Sequence, residues 1–153
     1  MEKITRLDRV SIFGGKLSFL VPHEWIEEDE GDDYLYHEPG TDSGWLRVSL
    51  ITSRNAEETP AQRLKQHFQG EDNVTVDKQT GNMVRFSEKD SEEEGILIHN
   101  YNWMVANVVL PYIVCEAVFS YTVLLDRVNM ENTRTTVKQI GELVSQAYFS
   151  LPS

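Results

Sequence analysis

The sequence predicts an α+β domain: a single antiparallel β-sheet of about six to seven strands flanked by helices, an α/β/α sandwich. Three observations predict it. Two long runs, Ile96–Val109 and Tyr112–Leu125, are rich in Val, Ile, Tyr and Phe and meet at Pro111, as two long central strands would. Shorter β-prone runs separated by turn residues precede them. Two stretches with helix-start signals, near Thr59 and near Asn132, supply the flanking helices.

Val10–Phe13 and Leu17–Val21 lie either side of Gly14-Gly15, a pair suited to the positive φ of a hairpin turn. Leu17, Phe19 and Val21 share one strand face, and Ser18 and Leu20 the other. Pro22 removes a ladder donor and ends the strand, and Trp25 follows at a corner where its ring can cap the core. From Glu24 to Asp33 there are seven carboxylates, a density that predicts a solvated loop. Tyr34–Glu38 reads as a short strand and residues 39–44 as a turn. Trp45–Thr52 alternates, with Leu46, Val48 and Leu50 on one face and Arg47, Ser49 and Ile51 on the other.

Thr59-Pro60-Ala61-Gln62 opens a helix: Thr59 suits the N-cap, Pro60 the first helical position and Gln62 the third. Ala61, Leu64 and Phe68 fall on one face of it, and Gly70 ends it. Val74–Asp77 and Met83–Ser87 flank a Gln-Thr-Gly-Asn turn, another hairpin. Glu88–Glu94 holds five acids and one Lys and predicts a second solvated loop. Asn132 or Thr133 caps the final helix, whose buried stripe is Val137, Ile140, Val144 and Ala147. Apolar residues on both faces of the long strands predict cover on both sides of the sheet. No repeat, linker or composition shift divides the chain, so one domain spans residues 1–153.

The composition narrows the function. A hydrophobic fraction of 40% and a charged fraction of 25% suit a globular protein. No run approaches the roughly 20 apolar residues of a membrane span. The N-terminal MEKITRLDRV is charged and lacks an apolar core, so a secretory leader is not expected and a cytoplasmic location is. One cysteine, Cys115, agrees with a reducing compartment. The net charge of −11 disfavours nucleic acid and suits a basic protein partner, or plain solubility.

The order hairpin, KLSFLVPHEW, acidic stretch, YLYHEP, WLRVSL, Thr-Pro-started helix, hairpin, long central hairpin and C-terminal helix resembles the PsbP-like fold superfamily. The residues carrying the likeness are Leu17-Ser18-Phe19 with Pro22 and Trp25, Leu46-Arg47-Val48, and Ala117-Val118-Phe119-Ser120-Tyr121. These are structural positions. The small bacterial cytosolic branch of that superfamily, of unknown function, is the most similar. The resemblance implies an antiparallel sheet between helices and a scaffold used mostly for binding proteins. It assigns no reaction and carries over no functional residue, because fold alone does not fix function.

Catalytic readings find little support. Alternation places Cys115 with Ile113, Ala117, Phe119 and Tyr121, the company of an inert core thiol. Glu-Glu-Asp-Glu-Gly-Asp-Asp lacks the spacing of a calcium loop. His23, His37, His67 and His99 lack zinc-ligand spacing. No phosphate-cradling Gly motif or nucleophile elbow is present, so no cofactor and no metal are expected.

Two site expectations remain. Tyr36 and Trp45, beside Glu27, Glu28, Asp29, Glu30, Asp32 and Asp33, form a candidate binding edge of aromatic anchors and charge. The alternative is a pocket where Glu116 meets Arg47 and His99. The leading expectation is a non-catalytic protein-binding module, in one version an immunity-type protein whose acidic segments cover a basic toxin. A small-ligand binder or enzyme using the Glu116 pocket is the second. An accessory subunit of a larger assembly is the third, marked by an exposed apolar patch.

Overall fold

In the computed structural model, which describes residues 6–39, 44–54, 74–110 and 113–150, the two long runs pair along almost their whole length. They are β8 (Ile96–Leu110) and β9 (Ile113–Leu124). Before them come β1 (Leu7–Ile12), β2 (Leu17–Pro22), β3 (Ile26–Glu30), β4 (Asp33–His37), β5 (Trp45–Arg54), β6 (Val74–Val76) and β7 (Met83–Glu93). Helix α1 (Glu131–Ser145) and the short β10 (Tyr148–Phe149) follow.

The expected α+β class holds at that level, with one correction. The strands form two sheets, a seven-stranded one in the order β3-β4-β5-β9-β8-β7-β6 and a three-stranded one in the order β1-β2-β10. Among the described residues α1 is the one α-helix; the helix expected from Thr59 to Gly70 lies outside them. The long strands are central as expected, with β9 fourth of seven.

Both acidic stretches are strands, not loops. Chain reversal at Gly31 pairs Glu27 with Tyr36 and Glu28 with Leu35. The 88–93 stretch pairs with β8, Glu88 opposite Tyr101 and Asp90 opposite His99. Charge density alone misreads them because pleating sends successive side chains to opposite faces. It thereby separates like charges that a linear count places together. Both lie at the margins of the sheet, where charge discourages edge-to-edge association.

The core lies on one face of the large sheet. β9 contributes Ile113, Cys115, Ala117, Phe119, Tyr121 and Val123, all buried. Over them pack β2 through Leu17, Phe19 and Val21, and α1 through Ile140 and Val144. Phe19 meets both Tyr36 and Phe119 edge-on, with centroids 5.6 and 5.1 Å away. Each large apolar side chain buried here contributes about 1.5–3 kcal/mol. The β1–β2 turn occurs where the sequence placed it, with Phe13, Gly14 and Gly15 all at positive φ.

Helix α1 starts two to three residues earlier than its sequence cap implies. Met130 is the N-cap and no side chain caps it, so neither Asn132 nor Thr133 does. Its C-terminal end is held instead by Asn82, which is 1% exposed. The Asn82 amide donates to the carbonyls of Ser145 at 3.1 Å and Ala147 at 2.7 Å, and its oxygen accepts from Asn107 at 2.8 Å.

Cover on the second side of the sheet is expected in part from the 59–70 helix, which lies outside the described residues. Among the described residues the second face carries a small apolar cluster, Ala106 and Val114 with Val74, Met83, Met104 and Val108. Elsewhere that face is open among the described residues: Trp45, Arg47 and Ile51 are exposed, and Asn100, Ser120 and Thr122 half-buried.

Candidate binding face

Strand register builds a row across this open face. Ile26 pairs with His37, His37 with Trp45, Trp45 with Thr122 and Thr122 with Asn100. Directly opposed residues point the same way, with strands about 4.8 Å apart. The row therefore runs from an apolar edge residue through two rings to polar side chains. Trp45 is 42% exposed and Ile26 43%. The rings of His37 and Trp45 lie 4.3 Å apart, tilted by 35°.

His37 is fixed from below. Its Nδ1 lies 2.9 Å from the carbonyl oxygen of Glu38, which only accepts, so Nδ1 carries the proton. Its Nε2 is buried without a hydrogen bond among the described residues and lies 3.5 Å from Glu28 Oε1. The ring thus serves as a platform for the indole and faces a carboxylate with its free nitrogen.

The next row holds Glu28, Leu35, Arg47 and Ser120. Arg47 Nη1 lies 3.9 Å from Asp33 Oδ2, a half-exposed pair worth at most about 1 kcal/mol. A groove of about 430 Å³ crosses both rows, with Trp45 and Arg47 on one side, Asn100, Ser120 and Thr122 as its floor, and Glu93 at the far end. On the floor, Thr122 Oγ1 donates to Asn100 Oδ1 at 2.6 Å, Ser120 Oγ donates to Asn102 Oδ1 at 2.7 Å, and Asn100 Nδ2 donates to Ser91 Oγ at 3.1 Å.

The expected binding edge divides between the two faces. Trp45 and Glu28 share the open face, with Asp33 reaching Arg47. Tyr36 does not join them, because it is 1% exposed and points into the core opposite Leu46. Its hydroxyl donates to Glu27 Oε1 at 2.5 Å, so Glu27 also belongs to the core side. Burial first, and then the Glu27 carboxylate, raise the Tyr36 phenol far above its ordinary value. Asp32 is exposed at the turn; Asp29 and Glu30 lie in β3 without described side chains.

The alternative pocket does not assemble. Glu116 stands opposite Ile51 and Ala106, and Arg47 opposite Ser120. The two share the open face, four residues apart along β9, about 13 Å. His99 pairs with Val123 and so faces the core side. Pleating sends His99 to the other face, and register along β9 keeps Arg47 and Glu116 apart, which adjacency of strands alone does not reveal.

His99 has partners of its own. Its Nδ1 contacts Asp90, and its Nε2 lies 3.0 Å from Glu88 Oε1. Burial depresses the imidazolium, but the hydrogen bonds and charges of Asp90 and Glu88 outweigh it and hold His99 above its ordinary value. Cys115 is fully buried, and burial pushes its thiol up, away from a nucleophilic thiolate. Among the described residues no three His, Cys, Asp or Glu side chains converge as metal ligands would. No helix among them is long and apolar enough to cross a membrane.

Sequence reasoning missed Ile26, His37, Asn100, Ser120 and Thr122 as members of the face. Once Trp45 and the strands are in register, a period-2 reading outward from Trp45 finds each of them.

No protein-family profile matches the sequence, and no curated protein matches it. Solved structures do. The yeast Saccharomyces cerevisiae Ran-binding protein Mog1p aligns with a TM-score of 0.56 at 11% identity, over 95% of this chain and 96% of its own. LpqN of Mycobacterium tuberculosis, involved in cell envelope biogenesis, aligns with a TM-score of 0.57 at 12% identity, over 97% and 93%. The chain shares its fold with both. A Bacteroides thetaiotaomicron protein aligns with a TM-score of 0.58 at 20% identity over 92% of this chain, which spans about half, 47%, of that one. At these identities the likeness extends to the fold alone.

Proposed function

We propose that the chain is a non-catalytic protein-binding module that docks its partner on the Ile26–Trp45 end of the open face. The observation that carries this reading is the exposed Trp45 indole, seated on His37 beside an exposed Ile26 and rimmed by Glu28. An aromatic anchor with an apolar neighbour and a charged rim is the composition of a binding hot spot. That a Ran-binding protein shares the fold supports binding as the class of activity. The net charge of −11 and the acidic β3–β4 hairpin favour a basic partner, because complementary charge speeds encounter at low salt. An immunity-type role, in which the hairpin covers a basic toxin, is the most specific form of this proposal. A cytoplasmic location is part of it.

The test is partner capture with the intact chain and with Trp45→Ala and Ile26→Asp. A partner held by the intact chain and released by both substitutions supports the reading; one retained by both contradicts it.

A second reading, an accessory subunit of a larger assembly, is favoured by the apolar tip of the β7–β8 hairpin. Ile96 and Leu97 are 53% and 55% exposed there, beside Leu124 at 42%. Binding that survives Trp45→Ala and is lost in Leu97→Ser selects it.

A further inference from the structure

We propose that the groove beside Trp45 is a carbohydrate site that takes a short neutral oligosaccharide. This goes beyond protein docking and does not depend on it. The volume, about 430 Å³, lies within the range of small-molecule sites. The wall supplies a half-exposed indole whose flat face suits the C–H face of a sugar ring. The floor supplies the complement to hydroxyl groups. The Ser120 and Thr122 hydroxyls spend their protons on Asn102 and Asn100, which leaves their oxygen lone pairs as acceptors toward the groove. The second amide hydrogen of Asn100, whose first goes to Ser91, and the guanidinium of Arg47 are donors within the same groove. Acceptors and donors thus alternate at strand spacing, about 4.8 Å, and each hydroxyl of a sugar is both a donor and an acceptor.

Other ligand classes fit less well. A nucleotide or other polyanion meets a strongly acidic protein, and the groove's cation, Arg47, already faces Asp33 while Glu93 closes the other end. An extended peptide gains its main-chain hydrogen bonds at a sheet edge, and this groove crosses a sheet face. A wholly apolar ligand would bury the floor's hydroxyls and amides without partners.

The experiment is saturation-transfer NMR on the intact protein with cellotriose, maltotriose, mannotriose and N-acetylated chitotriose as separate probes. The expected result is transfer to at least one of them, reduced about tenfold or more by Trp45→Ala, which removes the stacking platform, and by the isosteric Thr122→Val, at an unchanged unfolding midpoint. Ile26→Asp is expected to leave it intact. Absence of transfer to every probe overturns the proposal, as does transfer undiminished in Trp45→Ala and Thr122→Val. Partner capture lost in Ile26→Asp while sugar transfer persists separates this site from the docking surface.

Discussion

The imidazole of His37 lies 4.3 Å from the indole of Trp45 on the open face of the sheet, and that contact holds an otherwise half-exposed ring in place. A preset anchor loses little side-chain freedom on binding. Trp45→Ala is therefore expected to weaken partner binding by about tenfold or more while changing stability by less than about 1 kcal/mol. Affinity measured beside urea unfolding of the same variant checks both parts.

The buried Asn82 amide closes the C-terminal end of α1 against the sheet. Asn82→Ala leaves the Ser145 and Ala147 carbonyls without this donor and is expected to cost about 2–3 kcal/mol. Urea denaturation with an unchanged m-value shows whether the loss is one of stability alone.

Gly44 precedes Trp45 and lies under the ring of Tyr121. A Cβ there would come within 2.4 Å of that ring. Burial, with the Glu38 charge adding to it, pushes the Tyr121 phenol up to about 12. Gly44→Ala must displace a buried ring that also stacks on Trp25, and is expected to cost about 1–3 kcal/mol.

His99 gives the fold a pH dependence of known sign. The groups facing it are Asp90 and Glu88 from β7, the Tyr101 ring and, across β9, Val123. Its folded pKa is raised above the unfolded value of about 6.5. The stabilisation is therefore fully present below that value and is lost as pH rises through the folded pKa. His99→Gln is expected to destabilise the protein more at acidic than at alkaline pH. Chemical denaturation of both proteins across that range measures it; a difference that grows with pH contradicts the clamp.

Much of the scaffold was legible because it rests on local signals. The Gly14-Gly15 turn, the Leu17-Phe19-Val21 face and the long runs around Pro111 each declare themselves within a few residues. The acidic strands were not legible from charge, because Tyr36 and His99 pair with them across tight hairpins at Gly31 and at Glu94-Gly95 that a count of carboxylates passes over. The site was half legible for the same reason. Trp45 and Tyr36 are both aromatic and close in sequence, yet one residue of register parity sends the first to solvent and the second to the core. Of the alternative trio, His99 failed on that parity, while Arg47 and Glu116 share a face and are parted by four residues of register along β9.

Site-specific photocross-linking tests the docking face most directly. A benzoylphenylalanine replaces Trp45 in one variant and the exposed Lys138 of α1 in another. The expected result is a discrete protein adduct from position 45, none from position 138, and loss of the adduct when Ile26→Asp is added. Adducts from both positions alike, or none from position 45 while the partner is still captured, would contradict the Trp45 face as the docking surface.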